Sequence, residues 1–106
     1  MSRKSLMAII EMVNTMQVIV DYMNEYLTEP GKHWPKYWFE QRVYSRWAAN
    51  EILERIMEHP STPPDEVVFD FMHEMSIYAS TVNNKEKRFL FLTAKETAED
   101  ILSLFP

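Results

Sequence analysis

The chain has 106 residues, no cysteine and a formal net charge of −5. That length supports one domain with its own core, and the missing thiols exclude disulfide frameworks, cysteine-ligated zinc and thiol catalysis. Gly31 is the only glycine, which excludes the glycine-rich phosphate loop and the dinucleotide fingerprint.

Prolines stand at 30, 35, 60, 63, 64 and 106. Between them the chain is rich in Met, Leu, Ile, Glu and Ala, which favour helix. The first helix is predicted from about Ser5 to Thr28. Ile9, Met12, Met16, Ile19, Met23 and Tyr26 recur at spacings of three and four, and Leu6, Val13, Val20 and Leu27 widen the stripe. Glu29-Pro30-Gly31 ends it. Arg3 and Lys4 precede an apolar run, but Glu11, Asn14 and Gln17 interrupt it. It reads as neither a targeting signal nor a membrane span. The expectation is a soluble, cytoplasmic chain with no membrane contact.

The second helix is predicted from Pro35, a favoured first-turn residue, to His59. The third, at about 63–82, starts with Thr62 as N-cap, proline in the first turn, then Asp65 and Glu66 near the positive end of the dipole. Its stripe is Val67, Val68, Phe71, Met72, Met75, Tyr78, Ala79 and Val82. The fourth, at about 85–104, follows Asn83-Asn84 as cap and buries Leu90, Phe91, Ala94, Ala98, Ile101, Leu102 and Phe105. Arg88 to Thr93 also reads as a strand, but no second strand exists to pair with it. Short connections between amphipathic helices predict an all-α, single-domain antiparallel four-helix bundle over residues 1–106. The first two helices are the longer pair, roughly 36 Å each at ~1.5 Å per residue. The end where they join is expected to project slightly.

Trp34 to Trp47, WPKYWFEQRVYSRW, stands apart. It holds all three tryptophans, with Tyr37, Phe39 and Tyr44, and interleaves Lys36, Arg42 and Arg46. Placed at 100° per residue, Ala49, Ile52, Leu53, Ile56 and Met57 define a core face. Extended backwards, that face carries Arg42 and Arg46, while Val43, Tyr44 and Trp47 fall on the solvent side. A bend near Ser45, burial of the arginines against Asp21, Glu25 or Glu74, or a partner would each resolve the reversal.

Phe69 and Ile77 on the third helix, and Phe89 and Leu92 on the fourth, also lie off their stripes. With Trp38, Arg42, Val43, Tyr44, Arg46 and Trp47 they form the candidate interface, rich in the Trp, Tyr and Arg that dominate hot spots. The function expected is a non-enzymatic protein–protein interaction module, self-associating as a homodimer or binding another protein, with no cofactor.

The alternative is an anion- or nucleic-acid-binding regulator. Residues 32–46 carry a net +3 and residues 85–88 a net +2, leaving −10 for the rest. In an up-down-up-down bundle the second and fourth helices start at the same end. Lys32, His33 and Lys36 would there approach Lys85, Lys87 and Arg88, beside aromatics able to stack on bases. A third reading is a small metal-dependent enzyme using Asp70 and His73, with Glu74 following. A di-iron bundle needs such a pair on two helices, and only one is present. The eight methionines, five of them within the first 23 residues, read as adaptable core filler.

Overall fold

The computed structural model describes residues 3–27 and 33–105, and for residues 3–6, 8 and 9 only the backbone. Four helices follow in order: α1 Arg3–Tyr26, α2 Lys36–Glu58, α3 Pro64–Thr81 and α4 Lys85–Ser103. They form an all-α antiparallel bundle, and no strand occurs among the described residues. Arg88 to Thr93 is helical, since its backbone bonds close within α4.

Two helix starts differ in their chemistry. Asn84 caps α4, its side chain accepting from the backbone N–H groups of Glu86 and Lys87. At α3 the capping position is Pro63 rather than Thr62, with no side-chain cap. Pro64 has no N–H to offer, Thr62 lies one residue too early, and the Asp65 carboxylate takes the Glu66 N–H instead.

The most extensive packing is between α3 and α4. Val68, Phe71, Ala94, Ala98 and Ile101 are fully buried there, and Tyr78 meets Phe91 near the turn with ring centroids 5.3 Å apart. Next is α2 on α4, where small side chains predominate: Ser45, Ala48 and Ala49 on one helix, Thr93, Ala94, Thr97 and Ala98 on the other. Small residues allow close backbone approach. The Thr97 hydroxyl donates to the Thr93 carbonyl, so its burial leaves no polar atom orphaned.

Helix α1 is held more sparsely and is displaced along the bundle. Its last carbonyl, at Leu27, accepts a 2.6 Å bond from Arg46, halfway down α2. Tyr22 donates to Asp100, close to the end of α4. From Thr15 onward α1 buries Ile19, Tyr22, Met23 and Leu27, and Met12 still touches the core. Earlier residues run on past the ends of the other helices. The molecule is accordingly 50 Å long, with a radius of gyration of 15.0 Å where a compact domain of this size has about 13 Å. The projecting end is therefore the start of α1, and residues 28–32 of the α1–α2 connection, where projection was expected, lie outside the described residues. The start of α2 lies level with that of α4, where Tyr37 meets Phe89.

Tyr22 reports on this docking. Its phenol is pushed up to about 12, by burial first and then by the charge of Asp100 and the bond to it, with Arg42 opposing. The folded state thus keeps a proton that the unfolded chain loses at about 10. The stability linked to neutral Tyr22 is complete below pH 10 and is lost as pH rises from about 10 to about 12. Wild-type stability, followed by denaturant unfolding, is expected to fall more steeply across that window than that of Tyr22→Phe. Parallel curves for the two proteins would refute the assignment.

Candidate functional site: the first half of α2

Helix α2 runs unbroken from Lys36 to Glu58, so its reversed faces do not come from a break in the helix near Ser45. The displacement of α1 explains them. Because α1 ends beside Arg46, the side of α2 that faces inward lower down has no α1 beside it above that point. Trp38 stands on this side and is 54% exposed. Arg42 and Arg46 are half-buried, and neither pairs with a carboxylate among the described residues. Arg46 binds the Leu27 carbonyl, a cation at the negative end of the α1 dipole. Arg42 lies over the Trp34 ring at 5.8 Å, within reach of a cation–π attraction. Trp34 in turn meets Trp38 edge to face. Glu74, a candidate partner for these arginines, instead takes Arg55 at 2.7 Å. That bond from Arg55 is the main reason the Glu74 carboxyl lies below its ordinary range.

The opposite flank of α2 packs on α4. Phe89 sits against Tyr37 and Tyr44, with centroids 4.9 and 5.6 Å away. Tyr44 and Phe89 are therefore half-buried against one another rather than jointly open to solvent. Between the two flanks runs an outward stripe of Phe39, Val43 and Trp47, spaced four apart, at 48%, 44% and 40% exposure. Trp47 is braced from beneath by Phe71. Phe39 was not singled out from sequence, although its spacing to Val43 and Trp47 was the available signal.

Phe69, Ile77 and Leu92 are exposed as well, but not on this stripe. Phe69 projects from α3 almost opposite Phe71, the residue that meets Trp47. Ile77 lies two helical turns further along α3, and Leu92 is on the solvent side of α4 among Arg88, Lys95, Glu96 and Glu99. The exposed apolar residues form several patches, of which the α2 stripe is braced by the core.

The basic residues converge only in part. The α2 and α4 starts do meet, through Tyr37 and Phe89. His33, Lys36, Lys85, Lys87 and Arg88 are exposed, and Lys32 lies outside the described residues. Lys36 pairs with Glu40 at 3.6 Å, Arg88 donates to the Val82 carbonyl, and Asn84 already occupies two of the N–H groups at the start of α4. At the other end a cavity of about 270 Å³ opens between α2 and α3, lined by Arg55, His59, Thr62, Val67 and Asp70. Asp70 and His73 are both exposed. No group of three or more histidine, aspartate or glutamate side chains among the described residues is placed to hold a metal ion.

Arg46→Met removes the one side chain that, among the described residues, bonds the carbonyl of buried Leu27. The expected cost is about 1–3 kcal/mol, measured by denaturant unfolding, with faster amide exchange confined to α1. Unchanged exchange in α1 would show that Arg46 does not fix its register. No helix of the described residues is long and apolar enough to cross a membrane. Comparison with protein-family models, with curated proteins and with solved structures yields no match to this chain.

Proposed function

We propose that this chain is a non-enzymatic helical interaction module of the cytoplasm that self-associates, two copies pairing antiparallel along the outer face of α2. The observation that carries the reading is the Phe39–Val43–Trp47 stripe, three large apolar side chains open to solvent, spaced four apart on one helix and braced at Trp47 by Phe71. Rigid aromatic anchors backed by a core are what hot spots are made of. The absence of cysteine fits a reducing compartment.

Charge favours a second copy as the occupant. The first half of α2 carries Lys36, Arg42 and Arg46 against Glu40, and the second half Glu51, Glu54 and Glu58 against Arg55. An antiparallel pair centred on Val43 lays Phe39 over Trp47 of the second copy. It also brings Lys36 alongside Glu51 and Glu54 of that copy. Parallel pairing would instead stack like charges. The pair of Lys36 with Glu40 inside each copy is long, at 3.6 Å, and its lysine is exposed, so it gives way readily.

Meeting of the two basic helix starts favours a second reading, an anion-binding regulator, which the Asn84 cap and the Lys36–Glu40 pair oppose. Salt separates them, since phosphate binding weakens steeply with rising salt and apolar association does not. Solution mass across a dilution series tests the main reading. Wild type is expected above monomer mass at high concentration, and Val43→Glu to lower that mass without loss of helicity. A wild-type chain that is monomeric throughout, or a Val43→Glu chain with unchanged mass, would overturn it.

A further inference from the structure

The tip of the bundle where α2 and α4 start presents a surface of its own, which meets the α2 stripe only at Phe39. Tyr37, Trp38 and Phe39 are consecutive, so at 100° per residue they fan over more than half the girth of α2. All three are exposed, at 57%, 54% and 48%. The first turn of α2 therefore stands clear of the bundle except where Tyr37 meets Phe89 of α4.

Cations share this tip. Lys36, Lys85, Lys87 and Arg88 are exposed there, four cations against the two acids Glu40 and Glu86, a net +2 in a chain of net −5. Among the described residues no carboxylate pairs with Lys85 or Lys87. The other acids lie lower down. On α2 they begin at Glu51, roughly 22 Å beyond Lys36 at 1.5 Å per residue. Helix α3 has none after Glu74, and α4 none between Glu86 and Glu96. Helix α1 ends beside Arg46, so Asp21 and Glu25 are further from the tip than Arg46 is. A Debye length is about 8 Å at physiological salt. A flat surface resting on the tip thus feels its cations, and the acidic body, repelled by an anionic surface, keeps the tip turned toward it.

That layout selects the partner. A nucleic-acid strand long enough to bind tightly would run on to the acidic body, whereas a flat anionic surface touches the tip alone. Trp and Tyr are the residues favoured at the lipid–water boundary, and cations beside them add attraction to anionic lipid. A bilayer surface asks for no free N–H group and no fixed phosphate pocket, so the Asn84 cap does not oppose it.

We infer that the tip formed by the starts of α2 and α4 docks on an anionic lipid bilayer, with Tyr37 and Trp38 entering the headgroup layer and Lys85 and Lys87 facing anionic headgroups. Interfacial contact requires neither a spanning helix nor a targeting signal, the two features on which the expectation of no membrane contact rested. The inference does not rest on α2 pairing. Antiparallel pairing would set Glu51 and Glu54 of the second copy beside Lys36, so pairing and docking compete.

Vesicle flotation at protein concentrations too low for pairing tests the docking by itself. Wild type is expected on vesicles of equal parts phosphatidylcholine and phosphatidylserine, and not on phosphatidylcholine alone. Lys87→Gln is expected to weaken binding roughly fivefold, the worth of one cation near an anionic surface. Lys95→Gln makes the same charge change about 12 Å further down α4 and is expected to leave binding unchanged. Trp38→Gln is expected to weaken it several-fold. Lys87 and Trp38 are exposed, and circular dichroism verifies the fold of each variant. No binding to the mixed vesicles, equal binding to both kinds, or equal loss from Lys87→Gln and Lys95→Gln overturns the inference. Binding unchanged by Trp38→Gln overturns the insertion of the aromatic turn. A single-stranded oligonucleotide bound by wild type while the mixed vesicles float empty places a nucleic acid at the tip and sinks the lipid contact.

Discussion

The register of α1 along α2 governs what this bundle buries and what it leaves open. Arg46 fixes it by meeting the last carbonyl of α1, which has no N–H of its own helix to accept from. Tyr22 and Asp100 hold the same register against α4. Both anchors lie in the last turns of α1, yet they meet α2 at its middle and α4 near its end. A helix anchored in this way has to run past its neighbours at one end and stop short of them at the other. The exposed Trp38 and the exposed Met7, Ile10 and Val13 are two results of one displacement.

The other three helices form a tighter unit. Between α2 and α4 the buried side chains are mainly Ser, Ala and Thr, so the backbones lie close and the contact tolerates little added volume. Between α3 and α4 the large residues Phe71, Met75 and Ile101 fill the space. Stability is distributed accordingly. Local opening is least costly where buried contacts are fewest, and α1 makes fewer contacts with the other helices than α3 and α4 make with each other.

Much of this was legible in the sequence, because periodicity and helix stops depend on local chemistry. The four helices, the Asn84 cap and most of the α3 stripe, Val67, Val68, Phe71, Met75 and Ala79, follow from spacing and residue type alone, whereas Met72 and Val82 of that stripe are only half-buried and Tyr78 is exposed. Thr93 and Thr97 did not read as core, since polar type masks small volume and a hydroxyl that bonds the preceding turn. The reversal of faces in α2 was legible, but its cause was not. It depends on how far one helix slides along another, and heptad-like spacing is nearly unchanged by a slide of one or two turns. The same slide gave the arginines a carbonyl and an indole as partners instead of carboxylates.

Electrostatics limits which associations such a chain can make. Each copy carries −5, so two copies repel at long range, and an interface forms only where local charge opposes the net. Cations accompany exposed apolar side chains in the first half of α2 and around Leu92 of α4. In both, the same helix turns acidic further along. That polarity makes antiparallel self-pairing attractive and parallel pairing repulsive, without any buried ion pair and its desolvation cost. Added salt screens both the long-range repulsion between copies and the rim attractions, and the apolar contact persists. A nucleic acid would meet the same cations, but it would also meet the acidic second halves of both helices along any path longer than the basic end.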